Sequence, residues 1–256
     1  MTELTGVLFS VLFGLCVGSF LNVCIYRIPL KKSIVTPPSS CPQCHERIKL
    51  YDNIPLLSYV ILRGKCRNCG AKISLQYPLV EAITGLISVA LFTRFGLSPQ
   101  YFVFFLFLAC LVSISFIDLH HKIIPDVLSL PGILIGLGIS FTKWNHITWT
   151  DSIVGIVGGG GFLFLLAVIF EKLTGREGMG GGDIKLLAML GAWMGWRALP
   201  LIVLISAVSG IAIGGGSLLI AGQGMRTRIP YGPFLAIGAL IYFFFGHELV
   251  SLLYGF

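Results

Sequence analysis

Charge is what this sequence has least of. Asp, Glu, Lys and Arg make up only 11% of its 256 residues, against roughly a quarter of an ordinary soluble domain. With 55% hydrophobic residues and a mean hydropathy of +0.91, the chain has too little polar surface to cover a water-soluble core, and a lipid environment is expected. The Lys-Ser/Thr that would have to follow the glycine run Gly158–Gly161 in a phosphate-binding loop is absent, as is a strand before it. No basic residue precedes the first apolar run and Arg27 follows it, so the run is expected to be a spanning helix and not a removable signal peptide.

What is present is a series of apolar runs, near residues 5–26, 78–96, 101–118, 127–142, 152–172, 184–196, 198–221 and 233–254. The spacing predicts an all-α polytopic membrane protein of about eight transmembrane helices. The sixth run is about a dozen residues long, short of the roughly 20 that a spanning helix needs, so it is expected to be tilted, broken or re-entrant. The few acids leave the basic residues to set the topology. Nine of the 18 Lys and Arg lie between Arg27 and Lys72, and with that segment inside, Lys122, Lys172, Arg176, Lys185, Arg226 and Arg228 also fall inside. Only Arg94, Lys143 and Arg197 fall outside, and removing one span would send Arg226 and Arg228 to the opposite face. The expected orientation therefore has the N-terminus outside and the first loop in the cytoplasm. Five glycine pairs, Gly14/Gly18, Gly132/Gly136, Gly155/Gly159, Gly191/Gly195 and Gly210/Gly214, have the spacing that lets helix backbones approach closely.

The chain divides by pattern into a first helix (1–26), a cytoplasmic insert (27–77) and a helical bundle (78–256). In the insert, Cys41-Pro42-Gln43-Cys44 and Cys66-Arg67-Asn68-Cys69 are separated by 21 residues. Two such pairs in a reducing compartment supply tetrahedral thiolate coordination, and a set of four Cys leaves no open position, so a structural zinc ion is expected. In each half an Ile follows the second Cys by four positions, Ile48 and Ile73, as in two related knuckles.

The chemistry is sought among the acids attached to apolar runs, because ionisable groups at membrane depth are costly. Asp118 closes the third run and Asp183 follows Gly180-Gly181-Gly182 and opens the sixth. Two carboxylates in a poorly solvated site can share a proton, one activating water and the other polarising a peptide carbonyl, which is aspartic peptidase chemistry. The glycines ahead of Asp183 would let backbone come close to a substrate chain. Two other readings stay open on spacing alone: Asp118 as a helix-end carboxylate beside His120, His121 and Lys122, and Asp183 as a helix cap. Asp126, after Pro125, reads as an N-cap. From a different class, a polytopic ion or proton transporter would line its path with such acids.

Taken together, the motifs resemble the type IV prepilin peptidases. The resemblance rests on Gly18-Ser19-Phe20-Leu21-Asn22-Val23, Tyr26-Arg27, the two CxxC pairs enclosing Asp52-Asn53-Ile54-Pro55-Leu56 and Gly64-Lys65-Cys66-Arg67, then Ile73-Ser74, Tyr77-Pro78 and Glu81. It continues through Asp118, Ile124-Pro125-Asp126, Gly180-Gly181-Gly182-Asp183-Ile184-Lys185-Leu186 and Arg228-Ile229-Pro230-Tyr231-Gly232-Pro233. The tetrad Gly180–Asp183 is also similar to the GxGD signature of presenilin-type intramembrane aspartic proteases.

The resemblance implies an enzyme of the bacterial inner membrane with Asp118 and Asp183 as catalytic pair, supported by Gly180, Gly182 and Lys185. It implies as substrates the precursors of type IV pilins and of type II secretion pseudopilins, cut at the cytoplasmic face after a glycine that ends a basic leader. It further implies N-methylation of the new terminus with S-adenosylmethionine, for which no Rossmann-type site is legible. Glu171 and Glu177, in the stretch leading to Asp183, are the candidate contacts for a basic leader. Anionic lipid headgroups are the expected partner of the basic cytoplasmic face, and no nucleic acid is expected.

Overall fold

The computed structural model describes residues 3–145, 147–175, 180–216 and 229–254. Among these the protein is helical, with only two isolated β-bridges, Ser40 to Arg47 and Lys65 to Lys72. The chain forms two compact units, Met1–Ser113 and Ile114–Phe256, the division falling inside one helix.

The first unit holds α1 (Glu3–Arg27), the insert with a 3-10 turn at Leu50–Asn53 and the short α2 (Leu57–Ile61), then α3 (Gln76–Phe95) and the first part of α4 (Pro99–His121). Gly14 and Gly18 let α1 press against α3: a Cβ on Gly14 would stand 2.6 Å from Ser88 Cβ, and one on Gly18 would stand 2.7 Å from Glu81 Cα. Apolar burial alone does not hold this contact. The Ser88 hydroxyl donates to the Ser10 carbonyl at 2.6 Å and meets the Tyr101 hydroxyl at 2.6 Å, so buried polar groups are satisfied across elements.

The second unit holds the end of α4, α5 (Asp126–Ser140), α6 (Trp149–Thr174), α7 (Gly181–Met194), α8 (Leu199–Ser209), which runs into a π-turn at Gly210–Gly215, and α9 (Gly232–Tyr254). α7 is the core of this unit: every residue from Leu186 to Met194 is buried, with α5 and α6 packed on it and α8 packed on α9. Glycines again set the spacing. A Cβ on Gly132 would meet the Met189 sulfur, one on Gly136 would lie 2.6 Å from the Trp193 ring, and Gly155 and Gly191 approach backbone to backbone. The run Gly158–Gly161 lies within α6 and serves no loop.

Each of the eight apolar runs contains a helix among the described residues, the seventh running on past them from residue 217, and six helical stretches are long and apolar enough to cross a membrane. The protein is multi-pass. α5, at 15 residues, and α7, at 14, are shorter. α7 ends because Gly195 adopts φ 78°, after which a 3-10 turn at Trp196–Ala198 leads into α8. Gly195 thus terminates a helix where its spacing predicted a packing contact.

Candidate functional site

The sequence around Asp118 is uninterrupted helix, so its carboxylate is carried on a rigid element near the end of α4. It is 5% exposed. The Gly232 backbone N–H donates to Asp118 Oδ2 at 2.9 Å, and a Cβ on residue 232 would lie 2.8 Å from the same oxygen. Only glycine fits at that position without displacing the carboxylate.

Asp183 stands in the first turn of α7, whose N-cap is Gly180, with no side-chain cap bond. The helix-cap reading of Asp183 is therefore not what its side chain does. Gly182 packs on Ile124, where a Cβ would come 2.8 Å from Ile124 Cβ. Asp118 and Asp183 line one cleft of about 280 Å³, together with Gly180, Gly181 and Gly182.

Lys185 and Asp126 line the same cleft, and Lys185 Nζ bonds Asp126 Oδ1 at 2.6 Å. The N-cap of α5 is Pro125, so Asp126 is the first helical residue and spends its carboxylate on Lys185 instead of on its own backbone. His120 bonds the Phe116 carbonyl at 2.8 Å. Glu171 is exposed near the C-terminal end of α6 and does not line the cleft; Glu177, Arg176, Arg226 and Arg228 lie outside the described residues.

The insert holds a second constellation. Each CxxC turn closes in the same way: His45 N–H donates to the Cys41 carbonyl as Gly70 N–H does to Cys66, and Ile48 N–H reaches Ser39 as Ile73 N–H reaches Gly64. His45 and Gly70 both take positive φ, 59° and 70°. The two halves are therefore a structural repeat, as the paired Ile residues indicated.

The Sγ atoms of Cys41, Cys44, Cys66 and Cys69 all lie within 4.8 Å of one another. Cys41 and Cys69 are 3.8 Å apart, the edge of a tetrahedron whose arms are about 2.3 Å. These four thiols could hold a metal ion, and they form no disulfide. Arg67, between two of them, makes a forked pair with Asp52, with bonds of 2.6 to 3.1 Å. The Arg67 guanidinium holds the Asp52 carboxyl below the usual carboxylate range.

Asp126 as partner of Lys185 and the Gly232 N–H were not read from the sequence. The motifs Ile124-Pro125-Asp126 and Pro230-Tyr231-Gly232-Pro233 marked both places, but no local pattern names a partner 59 or 114 residues away.

Residues 12–95 match the Bacterial Peptidase A24 N-terminal domain, and residues 105–215 match the Type IV leader peptidase family. A prepilin leader peptidase/N-methyltransferase of Pseudomonas putida is 37% identical over 94% of this chain and 91% of its own. The proteins of that name from Stutzerimonas stutzeri and Pseudomonas aeruginosa are 39% and 38% identical, over 97% and 96% of this chain and 93% and 92% of theirs. No solved structure gives a significant match.

Proposed function

The chain belongs to the type IV leader peptidase family, and on that premise we propose that it is a membrane aspartic endopeptidase acting on type IV prepilins and prepseudopilins, with Asp118 and Asp183 as the catalytic pair. The observation that carries the assignment is the shared cleft: two carboxylates from α4 and α7 face one space beside a glycine run. One carboxylate takes a proton from water as the water attacks the scissile carbonyl, and the other donates a proton to the carbonyl oxygen. Collapse of the tetrahedral intermediate returns a proton to the leaving amine. Because Gly232 N–H occupies Asp118 Oδ2, Oδ1 is the oxygen available to water or substrate. Gly180 keeps the approach to Asp183 open, Gly182 lets the start of α7 close on Ile124, and Lys185, held by Asp126, fixes the start of α7.

The relatives favour the peptidase over a transporter. The cleft, the insert and the catalytic acids are assigned to the cytoplasmic side of the inner membrane, with the N-terminus outside, on the strength of the Lys and Arg distribution. Anionic headgroups are the partner assigned to that basic face. Glu171 and Glu177 are the proposed contacts for the basic leader.

Zinc is the metal assigned to Cys41, Cys44, Cys66 and Cys69. Four thiolates would close its coordination, so its part is to hold the two knuckles together. The second activity in the relatives' names, N-methylation, is assigned to this chain with S-adenosylmethionine as donor. The insert carries a cleft of about 460 Å³ bordered by Glu46, Arg47, Lys49 and Asn53.

The assignment is tested by incubating the purified full-length protein, in detergent, with a precursor whose basic leader ends in glycine. Mass spectrometry should find one cut directly after that glycine. Intact precursor, with the protein folded, would contradict it.

A further inference from the structure

A buried polar cluster lies between α1 and α3, wholly within the first unit. Asn22, 3% exposed, donates through Nδ2 to the carbonyls of Gly18 at 3.3 Å and Tyr77 at 3.1 Å. Those two bonds fix the amide orientation, and Asn22 Oδ1 is left buried with no hydrogen-bond partner among the described residues. An acceptor in this state is costly and calls for a donor.

Glu81 lies one helical turn beyond Tyr77 on α3, opposite Gly18, and is 7% exposed. Its Oε2 accepts the Leu56 backbone N–H at 2.8 Å, and the Ser19 side chain lies close by. Neither of the ion pairs among the described residues involves Glu81. Leu56 itself is the centre of a γ-turn, φ 58° and ψ −48°, closed by Leu57 N–H on the Pro55 carbonyl. This form of the turn is rare and strained, and backbone strain of that kind collects at ligand clamps and active sites.

A carboxylate and an orphaned amide oxygen, on facing stripes one turn apart, are the complement of a primary ammonium, which brings three N–H donors. We propose that Asn22, Glu81 and Ser19 form the acceptor-amine site of the N-methyltransferase, binding the new N-terminal ammonium of the cleaved substrate. This rests on the methyltransferase reading above.

The Glu81 carboxylate takes one proton from the ammonium and becomes the carboxylic acid. The freed nitrogen lone pair forms the N–C bond to the methyl group of the sulfonium donor, while the S–C bond breaks and its electron pair stays on sulfur. The products are a secondary ammonium and a neutral thioether. Asn22 Oδ1 accepts one remaining N–H and so aims the lone pair. Entry requires Glu81 to release Leu56 N–H, which lets the strained turn relax.

The test uses the purified full-length protein as wild type, Glu81→Gln and Asn22→Leu. Gln at position 81 keeps an acceptor for Leu56 N–H but removes the proton acceptor. Methyl transfer to a peptide beginning with phenylalanine is followed by mass, binding of that peptide without donor by calorimetry, and cleavage of precursor in parallel. Glu81→Gln should still cleave while methylation falls by about 10²-fold or more. Wild type should bind the free-amine peptide more tightly than its N-acetylated form, and Asn22→Leu should erase that preference. Methylation by Glu81→Gln at the wild-type rate, or equal binding of free and acetylated peptides by wild type, overturns the site. Joint loss of cleavage, methylation and melting temperature in Glu81→Gln also overturns it, by making Glu81 only a staple for Leu56. Failure of wild type to methylate at all sinks the methyltransferase reading beneath it, and the wild-type arm reports that separately.

Discussion

Gly232 and Asp118 are 114 residues apart in sequence, yet the backbone N–H of one is 2.9 Å from Oδ2 of the other. The contact leaves no room for a side chain, since a Cβ on residue 232 would stand 2.8 Å from that oxygen. It sets which way the Asp118 carboxylate points within the cleft.

Gly232→Ala should therefore displace the carboxylate while leaving most of the fold alone. Misplacement of a reacting group by about 1 Å costs on the order of 10²-fold in rate. Cleavage kinetics and a melting curve on the same preparation check this: kcat should fall by about that factor with a nearly unchanged midpoint. Wild-type kcat would mean that the Gly232 contact does not orient Asp118 for the proposed reaction.

Lys185 and Asp126 should separate activity from stability. Their side chains are 39% and 57% exposed, and ion pairs that open to solvent contribute about 0–1 kcal/mol. Lys185→Met is expected to unfold within that margin of wild type, yet to cleave more slowly, because the pair fixes the start of the helix that carries Asp183. Denaturant titration alongside initial rates reads both quantities.

The glycines of α6 should divide sharply. Gly155 meets Gly191 backbone to backbone, whereas a Cβ on Gly161 would meet nothing within 4 Å. Gly155→Val should cost about 1–3 kcal/mol or more through overpacking. Gly161→Ala should be neutral or stabilising by about 0.5–1 kcal/mol, since it only removes helix-interior glycine entropy. Thermal unfolding of the two variants in one detergent distinguishes them.

Purified protein should carry about one zinc ion per chain, as a set of four Cys requires. Cys41→Ser and Cys69→Ser should each lower the retained metal, measured by elemental analysis, because each removes one of four thiolates lying within 4.8 Å of one another. Full zinc retention in either variant would show that the ion binds elsewhere.

Much of this architecture is written locally. The apolar runs mark the helices, the paired CxxC turns mark the four-thiol cluster, and Gly14/Gly18 and Gly155/Gly159 mark close helix approaches, because hydropathy and spacing follow from covalent neighbours. What is not written locally depends on which element arrives from far along the chain. α7 is buried along most of its length by α5 and α6, and hydropathy cannot separate such a core helix from a weak span. Asp126 has the sequence context of a cap but meets Lys185, and tertiary contact overrides the local preference. The orphaned Asn22 Oδ1 is likewise invisible until Gly18 and Tyr77 are seen to occupy its amide nitrogen.

The central claim is that Asp118 and Asp183 act as one pair. It is tested most directly by replacing each with Asn, separately and together, and measuring cleavage of a glycine-ended leader precursor by folded, metal-replete protein. The account predicts that each single variant loses cleavage and that the double variant is no worse than either, because residues acting as a unit are not additive. Cleavage at the wild-type rate by either single variant would contradict it.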